Sequence, residues 1–269
     1  MASVECRGLG FEHGKGRTIL SGFDISFEGN EGLVCVLGPN GVGKTTLARC
    51  LCGLLRPTQG TVLIDGEDAA SMSRRRIAEK ISFVPSSGEA PHATVRDAVL
   101  MGRSRGLGLR TSKADASIAG DAMEALGVSD LADRFLDELS AGQLQRVLIA
   151  RGLAQDAEVV VLDEPTSNLD LGSQMYTASL LREIARGEGR LAIMVCHDVN
   201  LASKYADLVL TVAPPGRPGP FGTPSDVITH DCIREIYGVD CDIVEHEGRP
   251  AVLLRGIAHR GCSRGSASA

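Results

Sequence analysis

The sequence predicts an α/β protein: a parallel sheet around a phosphate-binding loop, with an antiparallel β portion at the N-terminus and an inserted α-helical portion. Three observations carry that expectation. First, the apolar run Leu33 to Leu37 leads into Gly38, Pro39, Asn40, Gly41, Val42, Gly43, Lys44 and Thr45, which fit G-x-x-x-x-G-K-[ST], and helix-forming residues follow. Second, short apolar runs recur at Glu158 to Leu162 and Leu191 to Cys196, the texture of strands buried on both faces. Third, the stretch from Ser86 to about Gln155 shows no strand pattern and reads as helical.

Taken in order, Val4 to about Phe27 alternates apolar and polar residues around Gly8, Gly10, Gly14 and Gly16, as antiparallel strands joined by a loop do. Thr61 to Asp65 is a further short strand closed by Gly66, Arg74 to Lys80 a basic helix, and Ile81 to Pro85 a strand ended by proline. Helical spacing marks Val95 to Met101, Ala114 to Leu126 and Leu131 to Leu136. Ala213 to Pro220 (APPGRPGP) reads as an irregular surface loop, and a last α/β segment follows. The expected division is a nucleotide-binding core from 1–85 and 156–212, a helical subdomain 86–155, a C-terminal α/β extension 213–260 and a disordered tail 261–269.

A chain of 269 residues builds a buried core readily, as one large domain or two small ones. Its net charge of −6 argues against a general nucleic-acid binder. No run reaches the roughly 18 apolar residues of a membrane span, and the opening MASVECRGLG lacks a signal-peptide core, so the expectation is a cytoplasmic chain that meets a membrane only through a partner. None of the eight cysteines forms C-x-x-C, and the looser group Cys232, Cys241, His246, His259 and Cys262 has spacings unlike the common zinc patterns. Reduced, structural thiols are expected.

The loop residues carry the chemistry. Its glycines let successive N–H groups point at a polyphosphate, and the helix that follows adds its positive N-terminus. Lys44 can place a charge on the β- and γ-phosphates, and the Thr45 hydroxyl can ligate Mg²⁺. Val159 to Pro165 (VVVLDEP) delivers Asp163 and Glu164 at a strand end, the first placed for the Mg²⁺ shell and the second to polarise a water attacking the γ-phosphate. Within LSAGQLQR, Ser140 and Gln143 form an S-x-x-Q capping box, so a helix is expected to start at Ser140. Small Ala141 and Gly142 make that helix start a second candidate phosphate surface.

The order GPNGVGKTT, LSAGQLQR, VVVLDEP, SNLD and a strand ending in CHD resembles the ATP-binding subunits of ABC transporters over essentially the whole chain. The resemblance implies a P-loop NTPase core with a RecA-like parallel sheet, ATP and Mg²⁺ as cofactors, and ATP hydrolysis. It implies a head-to-tail dimer, a homodimer for a single-cassette importer subunit, in which Ser140, Gly142 and Gln143 of one copy contact the γ-phosphate held by the other. Thr46 joins the phosphate contacts, Asp170 communicates between sites, and His197 senses the γ-phosphate. The family's adenine-stacking aromatic falls at Phe11 or His13, with His13 the better aligned. Two departures stand out: Ala141 replaces the more usual glycine, and Ser86 stands where a glutamine reaches Mg²⁺ and the attacking water. The shorter Ser86 would act through a water, so ATP binding is expected to persist while hydrolysis or its coupling weakens.

VRDAVLMGR (Val95 to Arg103) and the closing segment from Gly222 resemble subunits that import iron-siderophore, haem or cobalamin complexes. That resemblance implies multi-spanning permease subunits docking around Ser87 to Arg103, an extracytoplasmic substrate-binding protein as an indirect partner, no nucleic acid, and a location at the inner face of the cell membrane. The rival readings are a soluble ABC ATPase of repair, translation or cluster assembly, and a weakly hydrolysing regulatory module.

Overall fold

The computed structural model describes residues 2–14, 16–86, 92–103, 112–167, 169–187 and 189–258. Strands β1 (Ser3–His13) and β2 (Arg17–Glu28) pair antiparallel, and β4 (Gln59–Ile64) with β5 (Glu67–Asp68) completes a four-stranded sheet of order β2-β1-β4-β5. The second sheet has six strands in the order β10-β9-β3-β8-β7-β6. They are β3 (Leu33–Leu37), β6 (Ile81–Val84), β7 (Val159–Asp163), β8 (Leu191–Val195), β9 (Leu208–Ala213) and β10 (Arg217–Gly222). The first five run parallel to their neighbours, and β10 is antiparallel to β9.

The unbroken apolar runs reflect burial on both faces. In β3, Leu33, Cys35 and Leu37 join one hydrophobic cluster while Val34 and Val36 join another, and β7 and β8 alternate in the same way. One cluster holds the β1–β2 side chains and helix α1 (Lys44–Leu51), with α2 (Arg74–Lys80) at its border. The other holds α3 (Val95–Met101), α4 (Lys113–Ala125), α5 (Ala141–Ala154), α6 (Leu171–Gly187) and α7 (Val199–Tyr205). The chain closes with α8 (Pro224–Val227), α9 (His230–Tyr237) and the hairpin β11 (Val239–His246) and β12 (Arg249–Ile257). Among the described residues no helix is long and apolar enough to cross a membrane.

Two expectations need correction. The Ala213 to Pro220 segment is not simply an irregular loop: Arg217–Gly222 forms the edge strand β10, with Pro218 opposite Val212. Prolines fit an edge, where the missing N–H faces away from the ladder. Leu131 to Leu136 is not a helix but is flanked by two 3₁₀ turns, Ser129–Leu131 and Leu136–Glu138. Its backbone instead serves the start of α3: the Ala132 and Arg134 carbonyls accept from Arg96 and Val95, and Leu136 N–H donates to Ala93. The tail from 261, with His259 and Cys262, lies outside the described residues, and the seven described cysteines are free and buried.

Candidate functional site

Register decides where the chemistry gathers. Val195 of β8 is paired with Val36 of β3 on one side and Asp163 of β7 on the other, so the three strands end level. Gly38, Glu164 and His197 therefore emerge together at the carboxyl edge of the parallel sheet, where ligands bind in open α/β folds.

The loop after β3 turns sharply into α1. Gly43 precedes the helix at φ 112°, and a Cβ there would stand 2.7 Å from Leu20 Cδ2. Only glycine fits both demands. Gly43 offers no side-chain cap, so the first N–H groups of α1 are left to an outside acceptor. Lys44 is only 4% exposed, and its ammonium donates to the carbonyls of Gly38 at 2.7 Å and Pro39 at 2.9 Å. A lysine has three donors, so one remains for a ligand. Burial pushes its pKa down, and the Glu164, Cys196 and Asp163 side chains oppose that shift.

Asp163 is 2% exposed and accepts a 2.9 Å hydrogen bond from the Thr45 hydroxyl. Burial raises its pKa, with the Thr45 bond opposing and Glu164 adding to the rise. A hydroxyl and a buried carboxylate form a hard-oxygen pair, and this donor set fits Mg²⁺. Glu164 has φ 50°, the left-handed region that a non-glycine residue occupies at a cost, and its carbonyl is held by the Ser167 N–H and hydroxyl. Its carboxylate lies 2.6 Å from His197 Nε2. A cavity of about 470 Å³ joins Lys44, Thr45, Thr46, Glu164 and His197, with Asn40 and Gly41 of the loop on its wall.

Residues 23–167 match the ABC transporter family. The chain belongs to that family. It is 39% identical over 233 residues to the achromobactin transport ATP-binding protein CbrD of Dickeya dadantii, covering 85% of each chain. It is 41% identical over 206 residues to the cobalamin import ATP-binding protein BtuD of Halobacterium salinarum, which covers 76% of this chain and only about half (52%) of that one. Among solved structures, cbiO1 from Clostridium perfringens, part of the ABC transporter complex cbiONQ, matches with a TM-score of 0.75 and 27% identity over 86% of this chain and 92% of that one. The fold is that of an ABC cassette with a P-loop NTPase core, and the family binds ATP.

Not every expected residue of this ABC cassette gathers at the cavity. Ser140 caps α5, accepting from Gln143 N–H at 3.3 Å while the Gln143 side chain accepts from Ser140 N–H at 3.0 Å. This helix start is exposed at Ser140 and Ala141, and a Cβ on Gly142 would face Leu169 and Ser173, not the phosphate loop. Asp170 accepts from the Ser173 N–H and hydroxyl and so caps α6. These bonds, largest among the causes, hold its carboxyl below the usual range. Ser86 follows β6, half-buried, next to residues 87–91 outside the described set. His13 is exposed at the end of β1, while Phe11 is half-buried and packs against the core. Neither lines the cavity; Arg17 and Ile19 do, from the start of β2. The sequence reading missed these two. The signal lies in the hairpin register, which sets Arg17 opposite His13.

Proposed function

We propose that this chain is the ATP-hydrolysing subunit that powers an ABC importer, with a metal complex of the iron-siderophore, haem or cobalamin type as cargo. The observation that carries the reading is one cavity lined by buried Lys44, Thr45 and the Glu164–His197 contact, with Asp163 accepting from the Thr45 hydroxyl beside it. The cargo rests on the names of the relatives, achromobactin transport and cobalamin import.

In this reading the phosphate loop, Gly38 to Thr46, wraps the ATP phosphates with backbone N–H groups while the free donor of Lys44 meets the β- and γ-oxygens. Thr45 and Asp163 would hold Mg²⁺, and Ser86 would contribute through water. That ion would supply positive charge against the phosphates. Glu164 accepts the proton of the attacking water, and His197, turned from Glu164 toward the γ-phosphate, donates to it. His13 or Phe11 offers its ring to the adenine. Because Ser140, Gly142 and Gln143 lie away from this cavity, they serve a second copy placed head-to-tail, and Asp170 beside them relays between the two sites. The helical part, 86–155, receives the permease at the inner membrane face, and 213–260 is an appended α/β extension.

Steady-state hydrolysis by the purified chain tests the core of this. Glu164→Gln is expected to keep ATP binding, lower turnover at least about 100-fold and trap a dimer visible by size-exclusion chromatography. Turnover at the parent rate would remove Glu164 as the base. Co-purification with a multi-spanning permease separates the transporter subunit from a soluble ABC ATPase.

A further inference from the structure

A second basic cavity lies away from the phosphate loop, where the β11–β12 hairpin crosses α6 and α7. Its volume is about 340 Å³. Arg182 of α6, Lys204 of α7 and Arg249 of β12 line it together with His246, against a single carboxylate, Glu247. With His246 neutral, three positive charges meet one negative, in a chain whose net charge is −6.

The walls are firmly tied. The Asn200 side chain accepts from Val252 N–H at 2.7 Å and donates to Val252 O at 3.2 Å, and the Ser203 hydroxyl donates to the Pro250 carbonyl. Arg249 Nη1 donates to the Ser203 and Ala206 carbonyls at 2.6 and 2.7 Å, and its other N–H groups make no hydrogen bond among the described residues. Arg182 is different. Its guanidinium makes no hydrogen bond among the described residues, its Nε is buried without a partner, and the nearest carboxylate oxygen, on Asp207, is 3.9 Å away. Asp207 already accepts from Leu33 N–H and pairs with Arg186. Glu247 forms no ion pair with the lining cations among the described residues. Burial, with Arg182 and Arg186 nearby, pushes Arg249 below its usual range against the pull of Asp207.

Guanidinium groups crowded in a concave, partly desolvated site are costly until an anion joins them, and their planar forks suit phosphate oxygens. The lining leaves two positive charges in excess, which a phosphate dianion balances and a single carboxylate does not. We propose that the cavity between α6, α7 and the C-terminal hairpin binds a phosphate group, either inorganic phosphate or the phosphate of a small metabolite, through Arg182 and Arg249. Such a ligand ties the hairpin to α7, which begins beside Asp198, the neighbour of His197.

Isothermal titration tests this with the full chain saturated by Mg²⁺ and a non-hydrolysable ATP analogue, which fills the phosphate loop. Inorganic phosphate and glucose 6-phosphate are titrated separately, at matched ionic strength in chloride. The parent is expected to bind at least one of them saturably, and Arg182→Gln to weaken that binding at least about tenfold without losing the ATP analogue. The probe that binds more tightly identifies the source. Lys204→Gln, at an exposed position, supplies a second variant should Arg182→Gln fold poorly, with about threefold weakening expected. No saturable binding in the parent, or binding undiminished in both variants, overturns the proposal.

Discussion

The phosphate loop and the Ser140 turn both deliver a helix N-terminus, yet the chain finishes them in opposite ways. Ahead of α1 the residue is Gly43, which provides no side-chain cap, and the polar groups around it are buried and bonded across strand ends. Ahead of α5 the residue is Ser140, exposed and locked in a reciprocal box with Gln143. An uncapped helix start completes its hydrogen bonding with a ligand, whereas a capped one is self-sufficient and can wait on the surface. The difference teaches that one helix start is left open inside the chain while the other is closed on itself at the surface.

The sharpest way to break that contrast is Asp163→Asn. Burial raises the Asp163 pKa above its ordinary 3.8, so between that value and the folded one the folded chain holds a proton the unfolded chain has lost. Stability therefore falls as pH rises through this window and stays lower above it. Without nucleotide, the asparagine variant is expected to melt higher than the parent at neutral pH, with the difference vanishing below about pH 4, while ATP turnover drops at least about 100-fold. A lower melting temperature at neutral pH would show that the buried carboxylate is not a strained element awaiting a cation.

Ser86 follows β6, half-buried, where the chain leaves the parallel sheet. Ser86→Gln is expected to raise steady-state turnover a few-fold, roughly 1 kcal/mol in the barrier. Unchanged turnover would mean that a water or a neighbouring side chain already supplies the missing contact.

The smallest expected effect is at the Ser140 turn. Ser140→Ala removes the cap of α5 and should cost about 1 kcal/mol of stability by denaturant unfolding. If the turn also serves a second copy, turnover falls by more than ATP affinity does. A loss of stability alone would leave Ser140 as a helix cap and nothing further.

The phosphate half was legible because its signal is local: a strand, a fixed spacing of glycines and a lysine, then a helix, within residues 33–51. The bounds of α2 and α3 were equally legible, since each begins at a capping Ser73 or Thr94. Where the reading failed, distant partners had decided the outcome. The 131–136 segment has helical spacing, but α3 takes its backbone groups, and the 217–222 segment looks like a loop until β9 gives it an edge to pair with.

The sequence by itself determined the fold class and the strand–loop–helix around Lys44, because that signal is local, and it offered Asp163 and Glu164 as candidates at a strand end and His197 through the family resemblance. Only the tertiary structure decided that β8 lies between β3 and β7, which brings Glu164 within 2.6 Å of His197 across 33 residues of chain. It alone brought Arg182 of α6 and Arg249 of the hairpin to one cavity. Strand order and hairpin docking follow from which apolar faces bury each other, and that is a property of the assembled layers, not of any one segment.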